Sequence, residues 1–329
     1  MRGVDLKRWT FDWDLTFTMV AAGADGTIFH RYGGRDRRGA DHWLGSDSMA
    51  AFLRAGLGAH GRHEPIEITP TYEPLPLDSV PAFARRDRGE CIHCHSVNPA
   101  LRIEAQEAGT WSLEQLWTNP APERIGIDLD VKDQQLVTRV VDGSSAAKAG
   151  LRIGDRITHV GEVHVATASD LMFGLDQVPP GASSLQVKCI SPVGKARTLK
   201  LRLPEGWKAA SPREFAWRPS KWGLSPAPGF GGPVLKAPAL RKAGLPQGTF
   251  AFRVGYLVTW GENRRWGQAA ARAGVRDGMT ILGTKAKRDF DSIDHFHAWW
   301  RLTVKPQSTV TLVIWEDGKE VELAVPVGE

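Results

Sequence analysis

The stretch Cys91-Ile-His93-Cys94-His95 places three strong metal or redox ligand types within five residues. Its spacing is C-x-x-C-H, in which two thiols add to the vinyl groups of haem and the histidine becomes an axial ligand of the iron. Cys91 and Cys94 are therefore candidates for covalent attachment of haem c. His95 is the candidate metal ligand, to the haem iron.

Other kinds of chemistry remain open for the same motif. Cys91 and Cys94 could form a reversible disulfide, since a C-x-x-C pair beside histidines is a common setting for thiol–disulfide exchange. The two thiols with His93 or His95 could also supply three of the four ligands that Zn²⁺ needs. A structural disulfide, or no special role, completes the alternatives.

Composition limits the classes of protein that are possible. The chain has 329 residues and is 42% hydrophobic, which favours two or three globular domains. Its 42 Lys and Arg against 37 Asp and Glu are dispersed, and no basic stripe alternates with aromatics, so nucleic acid is not a predicted partner. Three cysteines do not make a disulfide framework, and no apolar run of about 18 residues predicts a transmembrane segment.

Enzyme motifs give little support for a catalytic role. We find no G-x-S-x-G or other serine-nucleophile loop, no P-loop and no dinucleotide fingerprint in the sequence. Hydrolysis and nucleotide-dependent catalysis are therefore not predicted. Whether the protein is an enzyme stays uncertain, because an oxidoreductase activity would depend on the C-x-x-C-H motif alone.

The clearest pattern is an internal repeat. The segment 147–157, AKAGLRIGDRI, recurs as 271–281, ARAGVRDGMTI, at an offset of 124 residues. The turns at 194–195 and 318–319 keep this offset, and strand-like alternation flanks each of them. Two copies of one module are predicted.

Local signals predict the elements of the first copy. Gly150 would end a short helical turn with a positive φ, and a buried strand would follow at 156–160. A helix is predicted over 169–177, because its leucines fall on one face. Apolar and polar residues alternate in 185–189 and in 197–203, which predicts two strands of a hairpin.

The A-x-x-A-G-L-x-x-G-D-x-I pattern resembles the PDZ domain in its bacterial, protease-associated form. The resemblance implies a φ-G-φ loop whose N–H groups bind the carboxylate of a peptide C-terminus, while the peptide adds as a strand beside a helix. Residues matching this peptide-binding site are Ile125, Gly126 and Ile127 in the loop, Leu129 on the edge strand, and Asp170, Leu171 and Gly174 on the helix.

The second copy departs from this pattern. Met279 replaces Asp155, and the nearest φ-G-φ candidate, 254–256, lies outside the repeat register. Between the copies, 205–244 is rich in Trp, Pro and Gly and is predicted to dock along the two modules.

The first 63 residues predict a small α+β unit. A hairpin turns at Asp25-Gly26, and a helix is expected over about 47–57. This order resembles the second half of a thioredoxin fold. Together with the repeat and the C-x-x-C-H motif, it is similar to a bacterial family of thioredoxin-like/PDZ proteins, some of which carry selenocysteine. We expect the chain to begin inside a thioredoxin-like domain, with an export signal encoded upstream.

The predicted fold class is α+β multidomain, a partial thioredoxin-like unit followed by two PDZ-like domains. The predicted order is a thioredoxin-like unit at 1–63, a Pro-rich linker at 64–90, the C-x-x-C-H connector at 91–121, PDZ-like domain 1 at 122–204, a docking linker at 205–244 and PDZ-like domain 2 at 245–327. The predicted function is an exported, periplasmic and redox-associated adaptor that binds a peptide or protein C-terminus. The alternative is electron transfer through haem c, or thiol–disulfide exchange, at Cys91, Cys94 and His95.

Overall fold

The computed structural model describes residues 3–64, 73–84, 93–179, 181–261 and 263–328. The chain divides into two compact units, Met1–Ala210 and Ser211–Glu329. Each unit has its own large hydrophobic core, so each is described by itself.

Unit 1 begins with a hairpin and helices and ends with a strand-rich half. Its elements are β1 (Thr18–Ala22), β2 (Ile28–Gly33), α1 (Ser46–Arg62), α2 (Pro81–Ala84), α3 (Val97–Glu107), β3 (Ile127–Leu129), β4 (Val137–Val140), α4 (Ser145–Ala149), β5 (Arg156–Val160), β6 (Val163–His164), α5 (Ala168–Asp176), β7 (Ser184–Ile190) and β8 (Ala196–Arg202). Short 3₁₀ turns lie at Leu77–Ser79, Cys94–Ser96, Leu113–Leu116 and Pro122–Arg124.

The predicted N-terminal hairpin is confirmed. Strands β1 and β2 pair antiparallel around the Asp25-Gly26 turn, where Gly26 has a φ of +79°. Helix α1 follows and extends to Arg62, beyond the predicted end at 57. Gly56 lets α1 approach β1 closely, because a Cβ at this position would lie 2.8 Å from the Cβ of Ala21.

The Pro-rich stretch 64–90 is predicted to be an extended linker, but its described part, 73–84, is folded. Leu77 N–H donates to the Val4 carbonyl at 2.8 Å, and Leu6 N–H donates to the Leu75 carbonyl at 2.9 Å. These backbone bonds tie the stretch to the start of the chain. A small core forms there from residues of the N-terminus, of this stretch and of the predicted connector: Leu6, Trp13, Leu77, Val80, Phe83, Val97 and Ala100. The linker prediction is wrong here, because apolar residues between the prolines find a common core.

The second half of unit 1 contains the first copy of the repeat. Strands β6, β5, β7 and β8 form one antiparallel sheet in that order, and β3 with β4 forms a separate hairpin. Gly150 ends α4 with a φ of +85°, as predicted. Helix α5 covers the core, and the predicted β7–β8 hairpin is confirmed.

Unit 2 repeats much of this order. Its elements are α6 (Pro212–Phe215), β9 (Phe230–Gly231), α7 (Ala237–Lys242), β10 (Phe252–Arg253), β11 (Tyr256–Leu257), α8 (Arg264–Arg272), β12 (Thr280–Thr284), α9 (Ile293–Thr303), β13 (Thr309–Glu316) and β14 (Lys319–Pro326), with a 3₁₀ turn at Pro219–Gly223. Strands β10, β12, β13 and β14 form one sheet, and β9 pairs with β11.

Matching backbone bonds fix the correspondence between the two copies. Val141 N–H donates to the Gly126 carbonyl in unit 1, and Val258 N–H donates to the Gly229 carbonyl in unit 2, both at 2.8 Å. The loop 228–230 of unit 2 therefore corresponds to the φ-G-φ loop of unit 1. Residues 254–256, the nearest candidate in the sequence, lie on β11 and just before it instead.

This correspondence changes the predicted boundary of the second copy. Part of the predicted linker 205–244 supplies β9 and the buried Phe230, which belongs to the main core of unit 2. The sequence does not reveal β9, because a two-residue strand between prolines and glycines has no alternation to detect.

Candidate peptide-binding groove

The φ-G-φ loop of unit 1 is held by its own backbone. Gly126 has a φ of +87°, and a Cβ on it would lie 2.1 Å from the Cβ of Ser144, so this position requires glycine. The carbonyl of Ile125 accepts from Ala146 N–H at 3.0 Å. Ile125 and Ile127 are both buried in the core.

Two N–H groups of this loop already have acceptors. Ile125 N–H donates to the Pro122 carbonyl at 3.2 Å, and Gly126 N–H donates to the Glu123 carbonyl at 3.0 Å. A peptide carboxylate would have to replace these bonds in order to use the loop. The geometry thus differs from the open loop that the resemblance implies.

Helix α5 is placed by its sequence. The side chain of Thr167 caps its N-terminus by accepting from Asp170 N–H, and Leu171 and Leu175 point into the core four residues apart. Gly174 faces β5, since a Cβ there would lie 2.8 Å from the Cβ of Val160. Leu171 and Gly174 therefore pack the domain itself.

Asp170 is fully buried and binds partners within the chain. It accepts from Arg31 N–H at 2.7 Å and from Ala166 N–H at 3.0 Å, and it lies 2.8 Å from His30 Nδ1. Thr167 Oγ1 also donates to the carbonyl of Arg31. Asp170 thus holds β2 against α5 and does not line a groove.

The face of α5 that looks away from β5 carries Ser169, Met172 and Asp176. Spacing of three and four residues places these side chains on one side of the helix. Asp176 accepts from Asn119 N–H at 2.9 Å. Ser169 and Met172 line a small cavity that Leu15 also lines. These three residues were not among the predicted site residues, although their spacing, opposite the leucine face, is visible in the sequence.

On the other side lies β3, where Leu129, predicted to lie on the edge strand, ends the strand and is buried in the core. Strand β4 pairs with one edge of β3, and no strand of the described chain pairs with the other edge. We call the space between this edge of β3 and the face of α5 that carries Met172 the groove.

Trp43 is distant in sequence from β3 and α5 but packs in the same core. It is 1% exposed and belongs to the cluster that contains Ile127 and Leu171. Its carbonyl accepts from Gln134 Nε2 at 2.7 Å, and Gln134 Oε1 accepts from the first N–H of α5, that of Ala168, at 2.9 Å. Gln134 therefore joins Trp43 to the helix.

Arg38 lies on the β3 side. Its guanidinium is 3.5 Å from Asp128 Oδ1 and 3.5 Å from Glu123 Oε1, and it also pairs with Asp36. Burial of the guanidinium by itself would lower the pKa of Arg38. The attraction of the three carboxylates is stronger than this effect, so the pKa of Arg38 is raised. The guanidinium also stacks over the ring of Trp43, with 4.9 Å between its Cζ and the ring centroid.

Three imidazoles form a row beside the β2–α5 contact. The ring centroids of His30 and His164 are 5.1 Å apart, and those of His164 and His159 are 5.0 Å apart. Burial lowers the pKa of His164, and the two neighbouring histidines lower it further.

Across residues 3–64, 73–84, 93–179, 181–261 and 263–328, no group of three His, Cys, Asp or Glu side chains is arranged to hold a metal ion.

The C-x-x-C-H motif is described only in part, because Cys91 lies outside the described residues. His95 Nε2 donates to the Leu15 carbonyl at 3.0 Å, and Cys94 Sγ lies 3.7 Å from the same oxygen. In this arrangement His95 Nε2 has no lone pair for iron, so the described residues do not fit haem ligation through that nitrogen. Haem, thiol and metal chemistry at the motif all stay predictions. The third cysteine, Cys189, is buried in the core, and burial raises the pKa of its thiol.

In unit 2 the equivalent face of α9 is covered by the chain just before β9. Lys221 Nζ lies 3.0 Å from Asp294 Oδ1, and Arg301 Nη1 donates to the Leu224 carbonyl at 2.6 Å. His297, between them on the helix, is 3% exposed, and neither ring nitrogen has a hydrogen-bond partner in the described structure. Burial lowers the pKa of His297 to about 3.

Comparison with known proteins assigns part of unit 1 to a family. The PDZ domain family matches residues 136–182, which run from the end of the β3–β4 turn through α5. The chain thus contains a PDZ domain within a mixed α/β fold. This match does not reach the predicted thioredoxin-like unit, which stays a prediction, as does export.

No curated protein matches the chain. Among solved structures, one described as "HtrA-type protease AlgW with decapeptide" aligns at 16% identity with a TM-score of 0.26. The alignment covers 58% of this chain and 52% of that chain, so this protein spans about half the length of that structure. A TM-score this low does not establish a common fold. Within the described residues no helix is both long and apolar enough to cross a membrane.

Proposed function

We propose that the PDZ domain of unit 1 binds an extended peptide segment and that the protein acts as an adaptor for its partner. The observation that carries this proposal is the unpaired edge of β3 beside α5, within a chain whose residues 136–182 match the PDZ family. An exposed strand edge offers main-chain N–H and C=O groups to an added strand, and PDZ domains use such an edge to bind peptide C-termini.

The groove suits a peptide with apolar side chains. Met172 of α5 lines a small cavity beside Leu15, and it belongs to the same apolar cluster as Leu129 and Ile127 of β3. Main-chain bonds to the β3 edge would provide affinity, while the side chains of α5 would select every second residue of the peptide.

Fluorescence anisotropy of labelled random heptapeptides on the full chain tests the proposal. Met172→Glu places a charge in the groove and should weaken binding by about tenfold or more, since a buried unpaired charge is costly. Val193→Glu, on the exposed β7–β8 turn, is the matched control and should bind like the wild type. Circular dichroism checks that both variants are folded.

Peptides with a free or an amidated C-terminus then identify the recognised group. Tighter binding of the free acid indicates that the φ-G-φ loop opens to receive a carboxylate. If no peptide binds any form of the chain, including variants with an opened groove, the proposed function is wrong.

A further inference from the structure

The segment 31–45, which we call the internal plug, runs from one wall of the groove to the other. At its start, Arg31 lines the small cavity beside Ser169 and Met172 of α5, and a Cβ on Gly33 would lie 3.2 Å from Ser169 Oγ. A few residues on, Arg38 is paired with Asp128 of β3. The segment therefore has contacts with both walls of the groove.

Two side chains fix the plug in this position. Trp43 fills the apolar core next to the groove, held by Gln134 through its carbonyl group. Arg38 covers Trp43 and pairs with three carboxylates, those of Asp36, of Asp128 on β3 and of Glu123 beside the φ-G-φ loop. The plug therefore combines an aromatic anchor with a charge that is complementary to its surroundings.

The plug differs from the strand that PDZ domains normally accept. Its backbone makes no bond to β3 among the described residues, so the N–H and C=O groups on the open edge receive no main-chain partner from the plug. An external peptide can form main-chain bonds that the plug does not form. These main-chain bonds would offset part of the free energy lost when the contacts of Trp43 and Arg38 are broken.

We propose that the internal plug is autoinhibitory, and that the PDZ groove binds an external peptide only after residues 31–45 leave it. This inference rests on the proposed function, because it concerns access to the same groove. If the open form is a fraction f of the molecules, the apparent Kd rises by a factor of 1/f, and a variant that frees the groove removes that factor.

Variants of the full chain test the plug. Arg38→Glu places a fourth negative charge beside Asp36, Asp128 and Glu123 and should open the groove, whereas Arg38→Lys keeps the positive charge and should stay close to the wild type. Trp43→Ala removes the anchor. Arg54→Glu, on the exposed side of α1, makes the same charge change away from the groove and is the matched control.

Two labelled probes are used in anisotropy titrations, random heptapeptides with a free C-terminus and a synthetic peptide of residues 31–45. We expect Arg38→Glu and Trp43→Ala to bind both probes at least about tenfold more tightly than the wild type and Arg54→Glu do. A 31–45 peptide carrying Ala at position 43 should bind the opened variants more weakly than the native peptide. If Trp43→Ala does not fold, Arg38→Glu decides alone.

The outcomes separate the inference from the proposed function. Equal affinity of wild type and Arg38→Glu for the heptapeptides, with clear binding by both, overturns autoinhibition and leaves peptide binding intact. Heptapeptide binding without any binding of the 31–45 peptide to opened variants also overturns it. Failure of every variant to bind heptapeptides, with the fold intact, overturns the proposed function itself.

Discussion

At the scale of single residues, Asp170 connects the N-terminal hairpin to the PDZ domain. The sequence suggests a groove residue, because a polar side chain at the start of this helix matches the family pattern. The structure gives it three donors from β2, from the preceding loop and from His30, and leaves it fully buried. Its role is to join two parts of unit 1.

Asp170→Ala should therefore reduce the stability of unit 1. It leaves the N–H groups of Arg31 and Ala166 and the imidazole of His30 without this acceptor, and we expect a loss of about 3 kcal/mol in the free energy of unfolding. Urea denaturation followed by tryptophan fluorescence measures this loss. Asp142→Ala, at an exposed position, should change stability by less than about 0.5 kcal/mol. An equal effect of the two substitutions would contradict the assigned role.

His297 should make unit 2 sensitive to acid. Its pKa is about 3 in the folded protein because of burial, against about 6.5 in an unfolded chain. As pH falls from 6.5 towards 3, only the unfolded form takes up the proton, so stability falls by about 1.4 kcal/mol per pH unit from this group. The loss is absent above pH 6.5.

His297→Met tests the origin of this slope, because Met172 occupies the equivalent helix position in unit 1. Denaturation midpoints at pH 7, 6, 5 and 4 should fall less steeply in the variant than in the wild type. His60→Gln, at the exposed end of α1, should keep the slope of the wild type. Identical slopes for all three proteins would show that His297 does not govern the acid response.

At the scale of elements, the glycines of the repeat divide into two kinds. Gly126 needs both a positive φ and space, since Ser144 leaves no room for a side chain. Gly143 has a φ of +73° but nothing within 4 Å of a Cβ. The two residues have similar backbones, so a comparison of them isolates the steric contribution.

Gly143→Ala should cost about 1–2 kcal/mol through the left-handed backbone alone. Gly126→Ala should cost about 3 kcal/mol or more, because the Cβ also displaces the turn before α4. Thermal unfolding of both variants gives the two values. A Gly126 substitution is thus a poor probe of peptide binding, since it disturbs the domain; similar losses for the two variants would reverse this conclusion.

Local patterns predict those elements whose signals are local. The hairpins at β1–β2 and β7–β8 follow from alternation and from turn residues, and α5 follows from its spaced leucines. The contact of Trp43 with Gln134 joins positions 91 residues apart, and no local pattern encodes it. For this reason β3 and α5 were predictable as elements, whereas the packing of residues 31–45 against them was not.

At the scale of the whole molecule, the boundary of unit 2 decides which fragment folds. A fragment 211–329 keeps β9, Phe230 and the turn that covers α9. A fragment 245–329, which starts at the boundary predicted from sequence, loses them. Loss of one buried phenylalanine costs about 3–5 kcal/mol, a large share of the 5–15 kcal/mol that stabilises a typical domain.

We therefore expect fragment 211–329 to show dispersed amide signals and a cooperative thermal transition, and fragment 245–329 to show neither. Nuclear magnetic resonance and circular dichroism of the two purified fragments check this. Cooperative folding of the shorter fragment would place the boundary back at 245.

The two copies differ in the chain segment that connects their first pair of strands, β3 to β4 in unit 1 and β9 to β11 in unit 2. In unit 1 a short turn leads from β3 to β4 and carries Gln134, which binds both Trp43 and α5. In unit 2 the chain from β9 to β11 is longer and carries α7 instead. The two copies thus share the arrangement of strands and helices but differ in this connection, which is the turn with Gln134 in unit 1 and a segment with helix α7 in unit 2. On our proposal, departure of the plug opens the first copy, whereas in the second copy the equivalent helix face stays covered by the chain just before β9.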